Sequence, residues 1–268
     1  MSAAPPLAHR VEGDGSPVVL LNGGMMTFAS WQPVATRLEP RHRVLTFDFR
    51  GQLLSPGLPP PDLAGHAADL AALLDGVGFA SAHLVGASFG ALVAVELAAA
   101  HPERVRSLAL VTVMDRATPQ FRAQSDGMRA LLAGLRAGTA SRQGFWDAMV
   151  AGVYSAGYRR GEAAALAARR ERLGLLPDAW FDGVDRLLAA VESFDLTPLL
   201  TAVRAPALVV AAGDDQVMDA GRTRALAAAL GAEIALHASA GHALVAEDPA
   251  WLSQTLDEFL VRQERNAP

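Results

Sequence analysis

The chain has no cysteine and no lysine among its 268 residues. Without cysteine there is no disulfide framework, no thiolate metal site and no cysteine nucleophile. All 23 basic side chains are therefore arginine, which against an alanine-rich background reads as composition bias rather than mechanism. No uninterrupted apolar run is long enough to span a bilayer. The opening Met1-Ser2-Ala3-Ala4-Pro5-Pro6 lacks the basic start and apolar core of a secretory signal, so a cytoplasmic location is expected. No His-Glu-x-x-His or clustered ligand pattern calls for a metal, and no Gly-x-Gly-x-x-Gly follows the first strands, so no cofactor is expected. The net charge of −5 argues against a nucleic-acid partner.

What the chain does have is apolar residue, 51% of it, enough for a large core. Its length suits one α/β domain with a small insertion. Continuous apolar runs at Val18–Leu21, Arg43–Phe47, His83–Val85, Leu108–Val113 and Ala207–Ala212 read as strands buried on both faces. Leu7–Val11 reads as an edge strand and Glu233–Leu236 as a last one. Between them lie helical patterns over Trp31–Leu38, Asp62–Gly78, Ala91–Leu97, Ala220–Leu230 and Pro249–Arg262, with a proline-rich loop at Pro56–Pro61. This alternation predicts a doubly wound, mostly parallel α/β sheet. From Arg116 to Phe194 the strand signal vanishes. That segment is expected to be a helical cap over the sheet's C-terminal edge, with residues 1–115 and 195–268 forming the core domain.

Gly86-Ala87-Ser88-Phe89-Gly90 lies between a strand and a helix. Gly-x-Ser-x-Gly in that setting is a nucleophile-elbow pattern, a tight turn that lifts a serine to the sheet edge beside a helix N-terminus. The spacing arises by chance often enough that partners must carry the case. A serine needs a base, and of seven histidines His242 sits best, in a loop just after the last strand. His237 is the fallback. His9, His42 and His101 read as surface turn or helix-end residues, and His66 and His83 lie before or within helix and strand. The base needs a carboxylate, and Gly213-Asp214-Asp215 follows the strand ending at Ala212. Ser88, Asp215, His242 is the chain order of a Ser…Asp…His triad.

With these features the chain resembles the α/β-hydrolase family over nearly its whole length. The resemblance rests on the elbow, the Asn22-Gly23 loop where the family usually has His-Gly, the Asp48-Phe49-Arg50-Gly51 turn, the acidic loop and Gly241-His242. In the family the acid sits nine residues after a strand-opening proline, which from Pro206 gives Asp215. The loop glycine lies two residues before that acid and not the usual three, which leaves Asp214 a competitor. Asp115 is a third option, because some members place their acid after the earlier strand. The resemblance implies an oxyanion hole from the backbone N–H groups of Phe89 and Gly24, with Met25 an alternative second donor. Asn22 stands where a loop-bracing histidine is usual, and Trp31 reads as core.

Together these imply a metal-independent serine hydrolase. It would cleave an ester, thioester or lactone of a small-to-medium apolar acyl group through an acyl-enzyme. Met25, Met26 and Phe89 are expected on the pocket floor, with Phe121, Phe145, Trp146, Met149, Trp180 and Phe181 in the insertion. Of these, Met25, Met26, Phe121, Trp146 and Trp180 are the candidate substrate-binding residues. The Asn22-Gly23-Gly24-Met25 loop and Gly51-Gln52 turn are also similar to those of an acyltransferase that joins 3-hydroxyacyl chains. Ten arginines against four acids between Arg116 and Arg172 would suit an acyl-carrier protein or coenzyme A thioester as partner, although a solvated helix face explains them as well. A non-catalytic ligand-binding relative is the third reading.

Overall fold

The computed structural model of the chain describes residues 7–55 and 57–266. Met1–Pro6 and Pro56, the first residue of the expected proline-rich loop, lie outside the described residues. Seven strands form one sheet: β1 (His9–Glu12), β2 (Ser16–Leu21), β3 (His42–Phe47), β4 (Ala82–Ala87), β5 (Val105–Val111), β6 (Ala207–Ala212) and β7 (Glu233–His237). Their order is β1-β3-β2-β4-β5-β6-β7, and all pairings are parallel except β1 with β3. The helices are α1 (Gln32–Leu38), α2 (Leu63–Val77), α3 (Phe89–Ala100), α4 (Pro119–Ala137), α5 (Arg142–Val153), α6 (Ala156–Gly161), α7 (Ala163–Gly174), α8 (Asp178–Ala190), α9 (Ala220–Leu230), α10 (Leu244–Glu247) and α11 (Pro249–Asn266).

The continuous apolar strands divide by the period of two that a pleated strand imposes. Val19, Leu21, Leu45, Phe47, Leu84, Leu108 and Leu110 pack into one layer with residues of α2, α3 and α9. Val18, Leu20, Val44, Val85, Ala87, Ala109, Val111, Leu208 and Val210 pack into the opposite layer with α1 and α11. Both faces are therefore covered, as a parallel sheet requires. Local signals set the helix ends. Asp62 accepts from Gly65 N at 2.8 Å to start α2, and Gly78 closes it at φ 74°. Asp219 and Gly231 do the same for α9.

Five helices, α4–α8, come between β5 and β6. They share an apolar cluster of their own that includes Leu132, Phe145, Trp146, Met149, Trp180 and Phe181. The two ends of this stretch are tied together. Arg116 and Asp195 form an isolated antiparallel backbone bridge, in which Ala117 N donates to Phe194 O at 2.9 Å and Leu196 N donates to Asp115 O at 2.8 Å. At its far side α8 meets the turn after β3 with no side chain between them. A Cβ on Gly183 would stand 1.9 Å from Gly51 O.

Several strand ends, one short helix and one burial differ from the sequence reading. β5 stops at Val111, not Val113, because Thr112 turns the chain at φ 47°. The short α10 has no periodic signal of its own at four residues. His42 is fully buried at the start of β3, where a surface turn was expected. Its ring is enclosed by Ser16 and by Asp257 and Glu264 of α11, so the helix covers what the sequence leaves bare.

Two other histidines sit in the core. His66 on α2 lies edge-on to Phe49 and Phe89, with ring centroids 5.7 and 5.0 Å away. Burial pushes its pKa down to about 4, against the pull of the Asp69 carboxylate. His83 on β4 shares a 2.7 Å hydrogen bond with Ser107 Oγ. Burial, and then the charge of Arg106, push it down to about 4 as well. An unfolded imidazole takes up its proton near pH 6.5, so between that pH and about 4 the unfolded chain holds more protons than the folded one. Stability is therefore complete above that window and falls with pH through it, by on the order of 3 kcal/mol per histidine at the acid end. Urea unfolding at pH 7 and pH 4.5 measures the drop. His66→Phe is expected to remove about half of the part contributed by the two histidines.

Candidate active site

β4 ends at Ala87, and α3 begins at Phe89. Ser88 between them adopts φ 50° and ψ −113°, a conformation that costs an L-residue roughly 1–3 kcal/mol. The surroundings hold it there. Ser88 N donates to Val111 O at 2.9 Å, and Ser88 O accepts from Ala91 N and Leu92 N. The flanking glycines are required by close approach. A Cβ on Gly86 would lie 2.5 Å from Ala91 N, and one on Gly90 would lie 2.4 Å from Leu21 O.

His242 follows β7 in the loop before α10. Its Nδ1 lies 3.0 Å from Asp215 Oδ2, and both side chains are largely buried. Asp215 Oδ1 accepts from Val217 N at 2.8 Å and Met218 N at 2.9 Å. Burial pushes the Asp215 carboxyl up. The charge and hydrogen bond of His242 and the two N–H groups outweigh it, so it ends below the ordinary aspartate value. A carboxylate on Nδ1 leaves Nε2 as the free lone pair of a neutral imidazole. Among the described residues no hydrogen bond joins the Ser88 hydroxyl to His242, and such contacts are often long before substrate binds.

The other candidate acids and base have different partners. Asp214 is exposed, and its backbone N donates to Ala240 O. Asp115 is buried beside Arg222 at 3.2 Å. His237 faces Asp248 at 3.3 Å, accepts from Ala240 N at 3.0 Å and stands edge-on to Trp251. It shapes the loop that carries His242. That loop is also tied to the helical stretch. Ala243 N donates to Val153 O at 2.8 Å, and Glu247 accepts from both N and Oγ of Ser155 at 2.7 Å.

The loop after β2 lies against the elbow. A Cβ on Gly24 would be 3.9 Å from Phe89 Cβ. No hydrogen bond among the described residues takes up the N–H of Gly24 or of Phe89. Beneath the loop is a buried polar network. Asn22 Nδ2 donates to Phe47 O, Asp48 Oδ1 and Gln52 Oε1. Asp48 also accepts from Phe28 N at 2.7 Å and Leu54 N at 2.9 Å. Burial raises the Asp48 pKa, and these donors oppose the rise. Gln52, fully enclosed, donates to Gly23 O at 2.9 Å. The sequence reading missed this contact. Its signal was present in the polar Gln52 directly after the Asp48–Gly51 turn, but no spacing rule links it to Gly23.

The candidate pocket residues scatter. Met25 packs against the apolar cluster of the helical stretch, which contains Trp146 and Trp180. Met26 packs towards the opposite layer, and its Sδ accepts from Gly23 N at 3.2 Å. Phe121 stacks edge-on with Phe194 where the helical stretch joins the sheet. The Phe89 ring is turned into the core against Phe49 and His66, away from the expected pocket floor. Half of the arginines between Arg116 and Arg172 are engaged locally. Arg129, Arg136, Arg142 and Arg170 pair with Asp185, Glu192, Asp182, Asp178 and Asp147, and Arg169 bonds the Tyr154 hydroxyl. Among the described residues no group of three His, Cys, Asp or Glu side chains could hold a metal ion, and no helix is long and apolar enough to cross a membrane.

A family model described as alpha/beta hydrolase fold matches residues 16–249. Among curated relatives, a candidate carbamate hydrolase RutD of Variovorax paradoxus (strain S110) is 31% identical over 96% of this chain and 97% of its own. Among solved structures, MGS-M2, an alpha/beta hydrolase enzyme from a Medee basin deep-sea metagenome library, superposes with a TM-score of 0.88. It is 22% identical, over 95% of this chain and 94% of its own. The enol-lactonase from Burkholderia xenovorans LB400 superposes at 0.82 with 26% identity, over 95% of this chain and 96% of its own. A family match across most of the chain, on a mostly parallel seven-stranded sheet with a strained serine turn, makes this chain a member of the α/β-hydrolase family.

Proposed function

We propose that the protein is a serine hydrolase that cleaves an ester, thioester or lactone of a small-to-medium apolar acyl group through an acyl-enzyme. The observation that carries this reading is the 3.0 Å Asp215–His242 hydrogen bond on the same sheet edge as the strained Ser88. In this mechanism His242 Nε2 takes the Ser88 proton as Oγ attacks the substrate carbonyl. The imidazolium that forms is stabilised by Asp215, which stays ionised because its own pKa is depressed. The developing oxyanion is met by the free N–H groups of Phe89 and Gly24. Collapse expels the alcohol, thiol or ring oxygen, protonated by His242. A water activated by the same imidazole then attacks the acyl-enzyme and releases the acid.

In this reading residues 116–194 are the cap, and the acyl chain lies beside Met25 along the cap's apolar cluster. Transfer of a 3-hydroxyacyl group from a carrier thioester to a hydroxyl acceptor draws less support, since half of the cap arginines suggested for a carrier are already engaged within the cap. The relative named as a candidate carbamate hydrolase favours a second substrate class, carbamates, whose carbonyl the same serine would attack.

Substitution tests the roles one at a time. Ser88→Ala is expected to lower kcat by at least about 10⁴-fold. Asp215→Asn should lower it about 10²–10⁴-fold, whereas Asp214→Asn and Asp115→Asn stay within about threefold. Steady-state turnover of a p-nitrophenyl ester measures all four. Near-normal kcat in Asp215→Asn would remove that residue from the mechanism. For the substrate, p-nitrophenyl esters of graded chain length and a matched p-nitrophenyl carbamate separate the two classes. The ester reading expects a burst of p-nitrophenol, fluorophosphonate labelling at Ser88 and faster turnover of apolar esters than of the carbamate. Turnover of the carbamate alone would overturn it in favour of the second class.

A further inference from the structure

We propose that Gln52 is a positioning residue that aims the oxyanion-binding N–H of Gly24 by gripping the carbonyl of Gly23. The inference rests on the serine-hydrolase reading above and adds a residue that reading does not use.

Gly23 C=O and Gly24 N–H belong to one peptide unit. In a planar trans peptide the two point in opposite directions, so whatever holds the oxygen aims the hydrogen. Gly23 O accepts from Gln52 Nε2 at 2.9 Å and from Met26 N at 3.1 Å. The N–H of Gly23 itself is taken by Met26 Sδ at 3.2 Å. Gly24 N–H is left over, on a residue that stands against Phe89, whose N–H is the other free donor. Two successive glycines offer almost no torsional resistance to a peptide flip. An oxyanion donor must nonetheless sit within about 2.7–3.1 Å of a fixed point before the reaction begins. Met26 N holds the Gly23 carbonyl from within the loop, and Gln52 adds the shorter bond from outside it.

The Gln52 side chain is suited to supply it because it cannot turn over. Its Oε1 accepts from Asn22 Nδ2 and from Phe49 N, both at 2.9 Å. Two donors at one end of the amide require oxygen there, which assigns Nε2 to the Gly23 end. The residue is 1% exposed, so no solvent competes for these bonds. A glutamate at this position could protonate between the carbonyls of Gly23 and Gly24 and donate to Gly23 O in the same way. A methionine keeps the volume, adds no charge beside Asp48 and has no donor for the Gly23 carbonyl.

Gln52→Met is the test, read with an ester and its thionoester analogue. The thiocarbonyl sulfur is a weak hydrogen-bond acceptor on a longer bond, so its hydrolysis draws little from the oxyanion donors. With Gln52→Met, kcat for the ester is expected to fall about 10–100-fold with KM changed less than about threefold, per site counted by the fluorophosphonate end point. The thionoester rate stays near that of the wild type, so the ester-to-thionoester ratio drops by the same 10–100-fold, less than the roughly 10²–10³-fold worth of a whole oxyanion donor because the N–H is misaimed and not removed. A merely structural role for Gln52 lowers both rates together, and an unchanged ratio would overturn the proposal. Gln52→Leu, which also lacks a donor for the Gly23 carbonyl, replaces the methionine variant if that one does not fold. If Ser88→Ala turns over the ester normally, the hydrolase reading itself fails and takes this proposal with it. A dead Ser88→Ala beside an unchanged ratio removes the role of Gln52 alone.

Discussion

Where β4 turns into α3, the chain passes so close to itself and to the end of β2 that two positions have no room for a methyl group. Gly86 is pressed by Ala91 and Gly90, and Gly90 by Leu21 O and Asn22 O. These contacts are backbone to backbone, so no side-chain rotation can relieve them. They fix the path of the turn, and the path forces Ser88 to φ 50°. A strain of roughly 1–3 kcal/mol persists because the sheet over-determines it. Ser88 N is held by Val111 O, at the register where Ala87 faces Val111. Thr112, one step further along β5, is the other non-glycine with positive φ among the described residues. It is held in turn by Val210 O. Neighbouring strands thus leave the sheet with matched distortions, and β6 runs on beyond them to the loop of Asp215.

The same close approach sets the demand met by the Asn22–Asp48–Gln52 network. For Gly90 to sit on Leu21, the end of β2 has to be stripped of bulk, and the chain continues as Gly23-Gly24. The two glycines have no side chains with which to anchor themselves. Its anchoring comes from below, through polar groups sealed from water, where each unsatisfied partner would cost about 1–3 kcal/mol. The Asp48 carboxylate is costly to bury, as its raised pKa records, yet its two oxygens satisfy Phe28 N, Leu54 N and the Asn22 amide at once. One buried side chain therefore fastens three loop segments around the elbow.

Much of this fold could be read from sequence because its strands are covered on both faces. A run such as Ala207–Ala212 has to be continuously apolar, and that signal does not depend on neighbours. Helix ends such as Asp62, Gly78, Asp219 and Gly231 were equally legible, since capping is local chemistry. What failed was whatever a distant segment decides. His42 reads as a surface turn until α11 is laid over it. Phe89 looks like pocket lining, but Phe49 and His66 leave it a slot in the core. At the candidate site, the positions of Ser88, Asp215 and His242 after strand ends were legible because the strands themselves were. Choosing Asp215 over Asp214 by contact needed the register of the loop, which puts one carboxylate under His242 and its neighbour in solvent. The contact of Gln52 with Gly23 was not legible because its partner is a carbonyl, and carbonyls have no letter in a sequence.

The two halves of the site differ in what supports them. Ser88 and the Gly23-Gly24 loop are fixed by the sheet and by side chains beneath it. The His242 loop is fixed only partly from below, through Asp215 and His237. The rest of its support comes from residues 153–158. Val153 O receives Ala243 N, Glu247 receives both donors of Ser155, and Tyr158 donates to Ala246 O. Gly241 packs so tightly there that a Cβ would lie 2.5 Å from Ser155 N. Glu247 is a charged acceptor for two hydrogen bonds of 2.7 Å, a pairing stronger than neutral ones. Separating the helical stretch from the sheet would therefore strip partners from the loop that carries His242 while leaving the serine turn intact. The geometry of this candidate site is a joint product of the sheet and the helices inserted between β5 and β6, with Ser88 supported by the first and His242 by both.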